Sequence, residues 1–195
     1  GTSATPAAVT IKDDGTGTVF ASTDPVGLTP ATITAPTPVN GVVSAADAAN
    51  LPNNDSPLAV TSVTVNEGSP YAVFKVTGTT GEYTSLSLAS VPGSGTVGTD
   101  TGTALQYFNG TTWVDYNPGD FVQIPAGGLL VRTAISNDPL GDNNENFNLL
   151  ATSPGGATAT GVGTIKDDGT GSVFLATNNT TTPDSVSPAT LDDDR

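Results

Sequence analysis

Histidine, cysteine and methionine are all missing from the 195 residues, and Lys and Arg together number 5 against 19 Asp and Glu. Each shortage removes a class of function. Without His or Cys there is no Ser-His-Asp or Cys-His nucleophile, no zinc site of the usual kind and no disulfide framework. A formal net charge of −14 with so few cations excludes a protein that binds along a nucleic-acid backbone. It also argues against electrostatic docking on anionic lipid. No apolar run approaches the ~18 residues that a membrane-crossing helix needs, so membrane insertion is not expected. The chain starts at Gly1 with neither an initiator Met nor a leader, which predicts a piece of a longer precursor.

What is present is strand-forming. Hydrophobic residues make up 35% of the chain, enough for a modest core, and 23 Gly with 15 Pro supply frequent breaks. Short β-branched or aromatic segments recur between Gly, Pro, Asn and Asp: Leu58–Val65, Tyr71–Thr77, Tyr83–Leu88, Ala104–Phe108, Trp113–Tyr116, Phe121–Ile124, Leu129–Ile135, Phe147–Ala151 and Ala157–Ile165. Asn109-Gly110 lies between two of them and predicts a tight hairpin with both central residues at positive φ. No segment has a 3.6-residue period, although residues 46–50 allow one helical turn. The fold class expected is all-β, an antiparallel immunoglobulin-like sandwich with extended, strand-bearing flanks.

The chain also repeats itself. Residues 10–20 read TIKDDGTGTVF and residues 164–174 read TIKDDGTGSVF, differing only at Thr18 against Ser172. Well-matched blocks separated by dissimilar spacers indicate tandem units. The boundaries expected are 1–20 as the terminal strand of a preceding repeat, 21–56 as a Pro/Thr-rich linker or partial strand region, 57–168 as the sandwich, and 169–195 as a linker leading to the next repeat.

Four motifs in order resemble domains of the Calx-β type: VTVNEGSPYAVFKVT (63–77), with its Glu-Gly pair between two strands; GTVGTD (95–100); the acidic NDPLGDNNENFNLLAT (137–152); and the closing ATATGVGTIKDDG (157–169). Gly141-Asp142-Asn143 departs from that pattern, which usually has an aromatic residue followed by Glu-Gly there. The resemblance implies a sandwich that recurs in tandem arrays of very large secreted bacterial adhesins and biofilm proteins. Calcium is the one cofactor the residue set invites, since it takes six to eight oxygen ligands and the carboxylates are clustered. In a sandwich, the loop carrying Glu67 would lie at the same end as loop 137–146 and the exit at 167–168. The resemblance implies Glu67, Asp138, Asp142, Glu145, Asp167 and Asp168 as metal ligands, with Asp100 less central. The competing reading of Asp-Asp-Gly is turn chemistry, with Asp accepting local backbone bonds and Gly supplying positive φ. Asp192-Asp193-Asp194 forms one more acidic cluster.

No residue set for catalysis is expected. The function expected is a structural repeat module, a spacer in an extracellular or cell-surface adhesin or fibre, with neighbouring repeats or copies of itself as partners. Two alternatives stand beside it. The N-terminal strand could complete a neighbouring sheet and build a head-to-tail filament. Trp113 and Tyr116, on one hairpin, could form a platform for cell-surface or matrix glycans, against the plainer reading of cross-strand packing.

Overall fold

The computed structural model describes residues 10–12, 17–18 and 35–192. Eleven strands are found among them: β1 (Val42–Val43), β2 (Ala59–Val60), β3 (Val63–Asn66), β4 (Tyr71–Thr77), β5 (Tyr83–Ser90), β6 (Gln106–Phe108), β7 (Trp113–Asp115), β8 (Phe121–Gln123), β9 (Leu129–Ala134), β10 (Glu145–Thr152) and β11 (Thr158–Lys166). They form two sheets. One has the order β1-β8-β5-β10-β11-β3, and the other β2-β4-β9-β6-β7. Every pairing is antiparallel except that of β11 with β3, which is parallel over Gly163↔Val63 to Lys166↔Asn66. The expected all-β sandwich is the observed fold.

Alternation explains why these segments pair face to face. On β10, Phe147, Leu149 and Ala151 are buried; on β9, Leu129, Val131 and Thr133; on β4, Ala72, Phe74 and Val76. Residues two apart in a strand share a face, so each strand contributes one apolar row to the space between the sheets. Phe74 and Phe147 meet there edge to face with ring centroids 5.8 Å apart. Tyr116 ties the layers together by a hydrogen bond: its hydroxyl donates to the Asp120 carbonyl at 2.7 Å and accepts from the Leu86 amide at 3.0 Å.

The core is closed tightly over Gly163. A Cβ on this residue would lie 2.3 Å from Cζ of the fully buried Phe147 ring. Gly163→Ala should therefore destabilise the protein by about 1–3 kcal/mol, the usual cost of forcing extra volume into a packed core. A urea unfolding midpoint equal to that of the wild type would contradict this packing.

Three expectations need revision. The Asn109-Gly110 hairpin is real, but Phe108 pairs with Trp113, leaving a four-residue loop. Gly110 has φ +94°, whereas Asn109 is not at positive φ and instead accepts the amides of Thr111 and Thr112 through Oδ1. Tyr116 is a core residue. Trp113 is half-buried and its indole N–H is committed to the Asn178 carbonyl at 2.9 Å, so the two rings form no joint platform. Finally, the stretch read as a linker after residue 168 folds back on the sandwich through residue 192. Ser172 bridges to Val65 beside the β3 edge, and Val173 and Phe174 are buried. The stretch 21–56 does contribute a strand, β1, paired with β8. Of the proposed preceding strand at 1–20, Asp13 and Asp14 lie outside the described residues; Ile11 is described and is 92% exposed.

Candidate metal centre

The acidic site sits where β3 ends and β11 exits. Because these strands run parallel, their C-terminal ends coincide, and the residues that follow them, Glu67 and Asp167, are brought side by side. The Glu67 amide donates to the Lys166 carbonyl at 2.8 Å, which locks the two exits together. Asp167 keeps the inward parity of Ile165 on β11, so it too is buried.

A third carboxylate completes the group. One oxygen each from Glu67, Asp167 and Asp192 lies within 4.8 Å of the others, and all three residues are buried. Asp192 comes from the far end of the folded-back segment. Its backbone carbonyl accepts a hydrogen bond at 3.3 Å from Nδ2 of Asn66, a fully buried side chain that also donates to the carbonyls of Thr170 (3.0 Å) and Lys166 (3.4 Å). Gly68 permits the approach: a Cβ there would lie 2.7 Å from Cβ of Leu191.

Burial of like charge sets the electrostatics. Glu67 has its pKa raised to about 7, first by desolvation and then by repulsion from Asp167, Asp192 and Asp138; only the amide of Asp138, donating to Oε1 at 2.9 Å, opposes this. Glu67 Oε2 and both carboxylate oxygens of Asp167 are buried with no hydrogen-bond partner among the described residues. Buried carboxylates left unsatisfied are costly. An oxygen-seeking divalent cation at this point would supply the missing contacts, and the all-oxygen donor set suits calcium.

The sequence-derived ligands divide into three groups. Glu67 and Asp167 form the triad's core, with Asp138 beside them through its amide. Asp142 and Glu145 gather instead with Asp100: Glu145 is raised to about 7 by burial and then by Asp100, Asp142 and Asp138, and exposed Asp142 is also raised, by desolvation and by Asp138 and Asp100. This second acidic group is adjacent and more open. Asp168 belongs to neither. It faces outward, accepts from Thr170 and from Asn143 Nδ2, and its pKa is lowered by those bonds. For Asp168 the turn-chemistry reading holds. Asp192, absent from the sequence-derived set, supplies the third carboxylate of the triad.

No family model matches the sequence, and no curated protein matches it. Fifteen chains of solved structures share local likeness, and three of them illustrate it. The apo-form Calx CBD1 domain is 15% identical, covering 54% of this chain and 96% of its own, at a TM-score of 0.30. The Pseudomonas aeruginosa CupB2 chaperone is 14% identical over 54% of this chain and 53% of its own, at 0.33. The N-terminal domain of PorA is 15% identical over 56% of this chain and 98% of its own, at 0.29. This chain thus spans about half the length of the chaperone it matches. The β-sandwich itself is established by the pairing of the two sheets.

Proposed function

We propose that this chain is a structural repeat unit of an extracellular or cell-surface adhesin or fibre, a non-catalytic spacer stiffened by calcium held at Glu67, Asp167 and Asp192. The observation that carries the repeat is the duplicated peptide. In its second copy Ile165 fills the core, Asp167 enters the acidic triad, and Val173 and Phe174 plug the sandwich. The first copy keeps every one of these residue types, yet its Ile11 is exposed. Such a peptide suits the end of another sandwich of the same kind, so neighbouring repeats are the partners proposed. Among the described residues no helix is long and apolar enough to cross a membrane. The strong negative charge favours solubility and extension of a long array.

Calcium is tested by thermal melts at neutral pH in millimolar calcium chloride and in excess chelator. At about 100 times its dissociation constant a ligand of the folded state adds ~2.7 kcal/mol, which is ~5–10 °C for a chain of this size. Asp167→Asn should abolish the shift, and Asp168→Asn should leave it intact. A wild-type melt indifferent to calcium would remove the cation from the proposal. Strand exchange between separate chains, the second reading of the duplicated peptide, predicts a ladder of ~19 kDa subunits in native material; a covalent array predicts one very long chain.

A further inference from the structure

The segment from Asp167 to Asp192 begins and ends at the same place. From Asp167 it turns along β3, where the Ser172 amide donates to Thr64 O at 3.0 Å and the Asn66 amide to Ser172 O at 2.9 Å. It buries Phe174, whose amide donates to Ser69 Oγ. It then crosses the outer face of the second sheet, where Arg132 Nη1 reaches Ala176 O (2.9 Å) and Trp113 reaches Asn178 O. Asp184 folds the far side back, its amide on Val173 O and its carboxylate accepting from Leu175 and Asn178. A short 3-10 turn, Pro188–Thr190, returns the chain to the triad. Asp192 is 8% exposed, and its carboxylate shares the pocket with unpartnered oxygens of Glu67 and Asp167.

We propose that the triad is a cation-operated clasp: an ion bound by Glu67 and Asp167 on the sandwich recruits Asp192, closes the strap 168–191 into a loop against both sheets, and so fixes the point at which the chain leaves the module. This rests on the cation reading above and adds to it a moving part. Of the three carboxylates, two stand on the ends of paired strands, whereas the third is carried by a segment with little regular structure. Without the ion three buried carboxylates crowd together, with one oxygen of each within 4.8 Å of the others, and the strap is the element that can yield. With it, a single ion joins the two ends of the strap, in the way a crosslink removes loop-closure freedom.

The test is amide hydrogen exchange of the full chain in calcium chloride and in chelator, with calcium uptake by the same samples measured by titration calorimetry. At about ten times the dissociation constant, strap amides including Ser172, Phe174 and Asp184 should exchange ~10-fold more slowly than in chelator. Asp192→Asn keeps the backbone carbonyl that Asn66 holds, so the sandwich should remain folded. It should still take up calcium, more weakly, at concentrations rescaled to its own affinity. Its strap exchange should then no longer respond to the ion, while β4 and β10 stay protected. Asp168→Asn should behave as wild type. Calcium uptake with an unchanged strap, or a strap response that persists in Asp192→Asn, overturns the clasp alone. Absence of calcium uptake by the wild type overturns the metal centre and the clasp together.

Discussion

In chelator, the melting temperature should fall by ~5–10 °C as pH rises from 5 to 8, opposite to the trend of a protein stabilised by ordinary surface carboxylates. The sign follows from Glu67. Its pKa is about 7 in the folded chain against an ordinary 4.5, so between those values the native state binds more protons than the unfolded state. The contribution of Glu67 is therefore fully present below about 4.5 and is lost as pH rises through 7. Across pH 5 to 8 a group with these two values costs about 2–3 kcal/mol, which gives the stated change in melting temperature. Glu145, raised in the same direction, adds a smaller part because it is half exposed. Asp168 and Asp184, held below the ordinary range, act only in more acid solution. Calcium should invert the order, because it competes with protons for the same oxygens and binds better at pH 8. Glu67→Gln should flatten the chelator profile and match or exceed the wild type at pH 8, since it removes a buried charge. A profile with the wild type most stable at pH 8 in chelator would refute the buried state of Glu67.

Arg132→Ala should lower stability by about 2–4 kcal/mol, or ~10 °C, although the residue lies on the outward row of β9. Its guanidinium is 3.8 Å from the ring centroid of Tyr71 and 4.3 Å from that of Trp113, and only 6% of the residue is exposed. Desolvation lowers its pKa, but the group stays charged. It donates through Nε to Gln106 Oε1 at 2.8 Å and through Nη1 to Ala176 O. Hydrogen bonds from a charged donor are worth about 1.5–3 kcal/mol, and a desolvated cation between rings adds up to ~2. Truncation removes both and unfastens the middle of the strap. Arg132→Lys should recover only part of the loss, since an ammonium cannot keep the planar fork between two rings. Differential scanning calorimetry of the three proteins decides: an alanine variant within 1–2 °C of the wild type would show that the strap is held elsewhere.

These two residues also mark how far the sequence was readable. The sandwich was legible because alternation and turn residues act locally. β4 occupies the predicted Tyr71–Thr77, and β5, β9, β10 and β11 differ from prediction only at their ends. Glu67 and Asp167 were legible through their motifs, and period two could have separated Asp167, in phase with buried Ile165, from outward Asp168. The repeat held another signal. Identity between its copies continues past Asp-Asp-Gly to Val-Phe, as expected if Val173 and Phe174 belong to the same sandwich as Ile165. Asp192 had no such signal. It reaches Glu67 by a path around the second sheet, anchored by Arg132 and Asn66 through backbone carbonyls, and a carbonyl leaves no mark in a sequence. The Asn109 loop was missed for a related reason. An Asn-Gly pair serves equally as the centre of a two-residue turn and as an Asn that caps a four-residue loop; the Phe108–Trp113 register decides between them.

The parallel pairing of β3 with β11 has a mechanical consequence. The chain enters β3 at Val63 and leaves β11 at Lys166, at opposite ends of one ladder. Tension between those two points pulls the strands past each other lengthwise, so the bonds from Gly163↔Val63 to Lys166↔Asn66 share the load in shear and must fail together. An antiparallel pair pulled from its open end would peel one bond at a time. β1, at the opposite edge of the same sheet and held to β8 by two residue pairs, can detach under load without disturbing that ladder, and so the first extension of the unit would expose buried Val43 while the load-bearing strands stay paired.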